Sequence, residues 1–255
     1  MTAPVASQLE VGRIETTRIT PSGERLRLTV PTAFGSYRWY GSTRFTGPRT
    51  ARQFLLAPAG EHRVIPAKIL PGARVSSRSL RGYDAVVYEA ADRSDSALVL
   101  AGPRHEATTW FGGPAPEAGA LARLVETFRF VDSADGASLT PASDLLVQQP
   151  DVTVAGRNAD SVLMVRRAAE ALPTLPDWAG LRLPGGLELW KADRNLEARL
   201  AAAVDGTAHQ WRYLLAGPQA VMDLVLLGPE SGRPATALDD DALVDALGAL
   251  TAVWG

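Results

Sequence analysis

The chain has 255 residues and no cysteine, and its 26 Lys and Arg stand against 28 Asp and Glu for a formal charge of −2. No disulfide framework, thiol nucleophile or cysteine-ligated metal is available to it, and 46% apolar with 21% charged residues is the balance of a globular protein. No apolar run approaches the roughly 18 residues of a membrane-spanning helix, and the first residues lack a basic and apolar leader, so a cytoplasmic protein is expected, with no membrane among its partners.

Ile14 to Thr20 and Arg25 to Val30 alternate and are rich in Thr, Ile, Leu and Val. Pro21-Ser22-Gly23-Glu24 between them is a turn sequence, so the pair predicts a hairpin. Ser36 to Phe45 comes next as an aromatic, basic strand interrupted by Gly41, and Gly47-Pro48 breaks the chain. Residues 1–48 therefore read as a basic, aromatic N-terminal segment of hairpin and strand, part of a first domain. Gln53 to Leu56 is strand-like, and Arg63 to Ile69 reads as short and extended. Arg74 to Leu80, Asp84 to Ala90, Ala97 to Ala101 and Glu106 to Phe111 are further strands bounded by Gly, Pro, Asp or Ser. Their short connections suit an antiparallel meander. Then the period changes: Leu121, Leu124, Val125 and Phe128 share one helical face, which closes a first α+β repeat over 49–132.

Asp132 to Asp144 is polar and turn-rich, and reads as a linker over 133–145 before a second repeat at 146–255. Asn158 is placed to cap a helix over Ala159 to Leu172 that Pro173 stops; a strand over Val162 to Val165 is the alternative. Strands are expected at Leu187 to Lys191, Arg199 to Val204, Gln210 to Leu215 and Val221 to Leu227. Leu243, Leu247, Leu250 and Trp254 form the stripe of a closing helix, with Asp239-Asp240-Asp241 at its positive end.

The two stretches echo each other. Leu100-Ala101-Gly102-Pro103 recurs as Leu215-Ala216-Gly217-Pro218, and in the same register Gly113-Pro114 falls on Gly228-Pro229. Leu70-Pro71-Gly72 matches Leu183-Pro184-Gly185, and Leu124-Val125-Glu126 matches Leu243-Val244-Asp245. A period of about 115 residues has the size of one small domain. The fold expected is α+β: a tandem duplication of two units, each an antiparallel sheet with a C-terminal helix, related by a pseudo-twofold axis.

Charge is unevenly placed. Residues 1–81 carry thirteen basic residues and four glutamates, a net of +9, and residues 82–255 carry a net of −11. Such asymmetry points to an acidic partner, or to docking of the basic segment on the acidic body of the same chain. Within it, Arg38, Trp39, Tyr40, Arg44 and Phe45 interleave cations with aromatic rings. These residue types are enriched at protein–protein hot spots, and they also stack on bases and neutralise phosphates. Strand alternation would instead put Tyr37 and Trp39 on one face and Arg38 and Tyr40 on the other.

Catalytic patterns are not found. No serine elbow, phosphate loop or dinucleotide fingerprint occurs. His62, His105 and His209 have no metal-ligand spacing; Glu61 and Glu106 adjoin the first two, but neighbours on a strand point to opposite faces. Asp239 to Asp241 reads as helix capping in preference to a cation site. No catalytic residue, metal or cofactor is therefore assigned. The function expected is a non-catalytic binding, adaptor or assembly (scaffold) protein that contacts an acidic protein partner through its N-terminal segment. A small-molecule or enzymatic site between curved sheet and helix is the alternative, and nucleic-acid binding is third.

Overall fold

In the computed structural model, which describes residues 12–48, 50–80, 82–149 and 153–255, the chain is mixed α+β, with mostly antiparallel sheet and few helices. The first eleven residues of the expected N-terminal segment lie outside the described residues. The hairpin of β1 (Arg13–Ile19) and β2 (Arg25–Pro31) opens the fold. Then come β3 (Arg38–Gly47), β4 (Thr50–Pro58), β5 (Arg74–Leu80), β6 (Tyr83–Glu89), β7 (Ser96–Ala101), β8 (His105–Phe111), helix α1 (Ala118–Glu126), β9 (Phe128–Ser133), β10 (Gly136–Pro141) and the two-residue β11 (Val147–Gln148). The rest of the chain forms β12 (Thr153–Arg157), β13 (Ser161–Arg167), α2 (Ala168–Ala171), β14 (Leu181–Arg182), β15 (Glu188–Asp193), α3 (Ala198–Val204), β16 (Trp211–Ala216), β17 (Ala220–Leu226), α4 (Asp240–Gly248) and β18 (Thr251–Trp254).

Among the described residues, thirteen strands make one large sheet, and the other five make a small sheet in the order β18-β2-β1-β10-β9. The large sheet reads from its centre outwards as β3-β4-β8-β7-β6-β5 in one direction and β12-β13-β17-β16-β15-β14 in the other, with β3 and β12 paired antiparallel in the middle. Both runs place their strands in the same sequence order, and each continues into a helix and then a strand of the small sheet. The turns at Gly102-Pro103 and Gly217-Pro218 match: each glycine N–H donates to the carbonyl three residues on, at 2.8 and 2.9 Å. Gly113-Pro114 and Gly228-Pro229 likewise fall two residues past the ends of β8 and β17, which hold equivalent places in the two runs, but the remaining two matches do not land on equivalent places. Leu70-Pro71-Gly72 precedes β5, whereas Leu183-Pro184-Gly185 comes after β14; Leu124 lies near the end of α1, whereas Leu243 lies in the first turn of α4.

Two apolar clusters lie between the sheets. One joins Phe45, Phe54, Leu98, Phe128 and Leu139, with Leu121 and Leu124 of α1 packed on it. The other joins Leu163, Leu215, Leu224, Leu247 and Leu250 with Leu26, Leu28 and Val30 of β2. The hairpin, expected to belong with the first repeat beside it in sequence, thus buries its apolar side in the core of the last hundred residues. β18 pairs with β2 along Thr251↔Thr29 to Trp254↔Leu26, and Gly255 N–H closes the ladder on the Arg25 carbonyl at 2.9 Å.

Several local expectations are corrected. Within the stretch expected to link the halves, Gly136–Pro141 form β10, which pairs with β9 across a turn at 134–135 and buries Ala137 and Leu139. Asn158 caps no helix; its Oδ1 accepts from the N–H groups of Asp160 and Ser161 and turns β12 into β13, so the strand alternative holds there. Arg199 to Val204 lies in the helix α3, as its Ala-rich composition favours. Residues 61–69 form a 3-10 turn and one π turn with Pro66 near the start of the latter, so the segment is not extended. Trp254 belongs to β18 and not to the closing helix. Among the described residues, no helix is long and apolar enough to cross a membrane.

Candidate functional site

β3 carries the basic aromatic motif into the middle of the large sheet, and the pleat divides it. Phe45 points inward and is fully buried, its ring 4.8 Å from Phe128 and 6.1 Å from Phe54. Trp39 also points inward, against the second core cluster, 5.5 Å from Tyr37 and with the Arg18 guanidinium 5.6 Å above its ring. Room for this ring comes from Gly156, opposite it on β12: a Cβ there would stand 2.9 Å from Trp39. Arg38, Tyr40 and Arg44 share the outer face. Of the five predicted site residues, three are thus brought together on one surface and two are core.

The outer face has further members that the sequence pattern does not single out. Arg38 lies directly across from Arg157 of β12. Glu61, from the loop after β4, meets Arg38 Nη2 at 2.7 Å and accepts the Tyr40 hydroxyl at 3.4 Å. Burial pushes the Tyr40 phenol above its ordinary range; Glu61 adds to the rise, while Arg38 and Arg157 oppose it. The Arg38 side chain remains 63% exposed despite its bridge, and Arg44 and Arg157 are exposed. No local sequence signal announces Arg157, because its place beside Arg38 depends on the register of two strands more than a hundred residues apart.

Two histidine–carboxylate pairs support this region, and neither is the sequence-adjacent pair. His62 Nδ1 donates to Glu106 at 2.6 Å, and His105 Nδ1 donates to Asp132 at 2.8 Å. Glu106 and His105 are neighbours on β8, so their side chains leave the sheet on opposite faces. Both acids also bind backbone. Glu106 accepts the N–H of Gly60 at 2.8 Å and of His62 at 2.5 Å, fastening the loop that presents Glu61. Asp132 accepts the N–H groups of Arg104 at 2.7 Å and His105 at 3.2 Å. With their carboxylates occupied in this way, the pairs act as staples for two turns.

The remaining candidates are structural. His209 Nε2 accepts the Thr236 N–H at 2.9 Å, which puts the ring proton on Nδ1, facing the Leu226 carbonyl. Asp239 accepts the Ala242 N–H at 2.8 Å as the N-cap of α4. A cavity of about 30 Å³ under Trp39, lined by Arg18, His105 and Asp135, has room for about one water. A larger open cleft of about 540 Å³ lies between the sheet and α1, with Arg52 and Arg123 on its walls; the Arg52 guanidinium sits 4.3 Å over the Phe111 ring and donates to the Trp110 carbonyl.

No family model, curated protein or solved structure matches this chain.

Proposed function

We propose that this protein is a non-catalytic binding or adaptor module that contacts an acidic protein partner through the outer face of β3 and β12. The observation that carries the reading is Arg38 opposite Arg157, with Arg44 further along the same face. Like charges directly across a strand pair are destabilising on their own; Glu61 offsets that cost for Arg38, and a partner carboxylate beside Arg157 would relieve the rest. Tyr40 adds an aromatic surface with a polar tip, as interface anchors do. The test is binding of a fluorescent oligoglutamate peptide beside a single-stranded oligonucleotide of equal charge. Wild type should prefer the peptide and lose affinity as salt rises, since exposed charge is screened over about 8 Å at physiological ionic strength. Arg38→Glu with Arg44→Glu should abolish peptide binding at an unchanged melting temperature. Preference for the oligonucleotide would move the reading to nucleic acid; a lowered melting temperature would mean that the segment docks on its own chain.

The sheet–helix cleft supports a second reading, a small anionic ligand held by Arg52 and Arg123. A rise in melting temperature with millimolar citrate or phosphate, lost in Arg52→Ala, would favour it.

We further infer that the chain arose by tandem duplication, with its units paired about the β3–β12 axis. The shared strand order and the matching Gly-Pro turns support this. In that reading each unit is a six-strand run plus a helix, and the β1–β2 hairpin has been exchanged onto the second unit.

A further inference from the structure

The large sheet ends differently at its two edges. At one end β14 spans two residues, which is a common way of blunting an edge. At the other, in the corresponding place, β5 spans seven residues, all paired with β6 without a bulge from Arg74↔Glu89 to Leu80↔Tyr83. Its free side carries no strand among the described residues, and Arg74 to Ser79 are exposed. Beside it runs a groove of about 240 Å³ between β5 and α1, with Ser76, Arg78 and Leu80 on one side and Leu121, Val125 and Glu126 on the other. A long, regular, open strand is a template for another strand.

The sequence of β5, Arg-Val-Ser-Ser-Arg-Ser-Leu, selects its own partner. Antiparallel self-pairing about a twofold axis must keep groove-facing residues on one face, so the axis has to pass through a residue and not between two. Centring on Ser76 would set Arg74 against Arg78, and centring on Arg78 would set that cation against its own copy. Centring on Ser77 overlaps all seven residues and opposes Arg74 to Leu80, Val75 to Ser79 and Ser76 to Arg78, with no like charges directly across. Arg74 already faces Glu89 within its own sheet, and Glu126 lies on the groove side with Arg78, so the added cations meet acid on that face.

We propose that two copies of this chain associate through β5, antiparallel about a twofold axis at Ser77, and extend the large sheet across the dimer. Because the chain has no cysteine, introduced thiols report this register cleanly. Directly opposed residues have the Cα and Cβ spacing of a disulfide. Under mild oxidation Ser77→Cys should form a covalent dimer rapidly. Val75→Cys and Ser79→Cys should each stay monomeric alone and cross-link when mixed. Sedimentation of the unmodified protein should show a reversible dimer, and Ser77→Lys, which opposes a charge to itself, should weaken it at least about tenfold. Ser77 is exposed, so these variants leave the fold intact, as circular dichroism would verify. The proposal is overturned if Ser77→Cys cross-links no faster than Ser143→Cys on another surface. It is equally overturned if Val75→Cys or Ser79→Cys self-cross-links, which would mean another register, or if the dimer ignores Ser77→Lys, which would mean another interface. A monomer with none of these cross-links would overturn it as well, and would leave the edge to a different chain.

Discussion

Three N–H groups converge on Glu106, a carboxylate only 1% exposed, and through them β8 holds the turn that carries Glu61 to Arg38 and Tyr40. Removing that acid leaves buried donors without acceptors, the costly half of breaking a buried ionic network. Glu106→Ala should therefore lower stability by about 3 kcal/mol, read from urea denaturation. Amide exchange of residues 60–65 should quicken, and Arg38 should lose its carboxylate partner. A change below about 0.5 kcal/mol would show that the loop is held by the Ile65 contacts with Tyr88 and Val99 instead. Treating Glu106 as a strand neighbour of His105 rightly rejects that pair, since adjacent strand residues diverge. It cannot find His62, forty-four residues away, because only the pairing of β4 with β8 sets them side by side.

At the scale of single elements, α4 and the turn after it close the second core, and Leu243, Leu247 and Leu250 are all buried there. Leu250→Ala should cost about 2–5 kcal/mol by lost transfer energy and the cavity left behind; a cost near zero in denaturant melts would mean that the site collapses or is more open than its burial indicates. Elements with a clean alternation were legible in the sequence. β1, β2 and β5 to β8 fall within a residue or two of their expected bounds, as do β16 and β17. Those that failed have ambiguous periods. Val162 and Val165 fit a helix face as well as a strand, and only burial of Ser161, Leu163 and Val165 on one side of β13 decides it. Arg199 to Val204 alternates weakly but is half alanine, and the helix won. Asp132 to Asp144 looked like a linker because its polar residues are engaged elsewhere: Asp132 caps the turn at His105, and Ser133 bonds the Gly136 carbonyl. At the candidate site, alternation alone correctly separated Arg38 and Tyr40 from Trp39. The inclusion of Phe45 failed because an aromatic in a strand is as useful to a core as to an interface.

Over the whole molecule, the two halves share one sheet but keep separate cores, and the hairpin at the front of the chain serves the rear one. A protein beginning at Phe34 should therefore lose protection unevenly. Amides of β13, β16 and β17 should exchange faster, while those of β6 to β8 remain as slow as in the full chain. Equal loosening of both halves would mean that the cores are coupled through the β3–β12 junction more strongly than through the hairpin. Domain organisation was only half legible for this reason. Sequence order assigns residues 1–48 to the repeat next to them, and nothing local reveals that Leu26, Leu28 and Val30 find their neighbours beyond Val154.

The pairing of β2 with β18 also sets an order of events during synthesis. The hairpin leaves the ribosome well before the surfaces that bury it, from Val154 to Leu250, are made. Until translation passes Leu250, three large aliphatic side chains on β2 lack part of their native cover. The first half can complete its own core from Phe45 to Leu146 in the meantime. Contacts between the ends of a chain are the slowest to form, and a nascent chain that waits with an uncovered strand is open to capture by other chains. The β18 ladder from Arg25 to Gly255 can close only after the rest of the cover over β2 has been made.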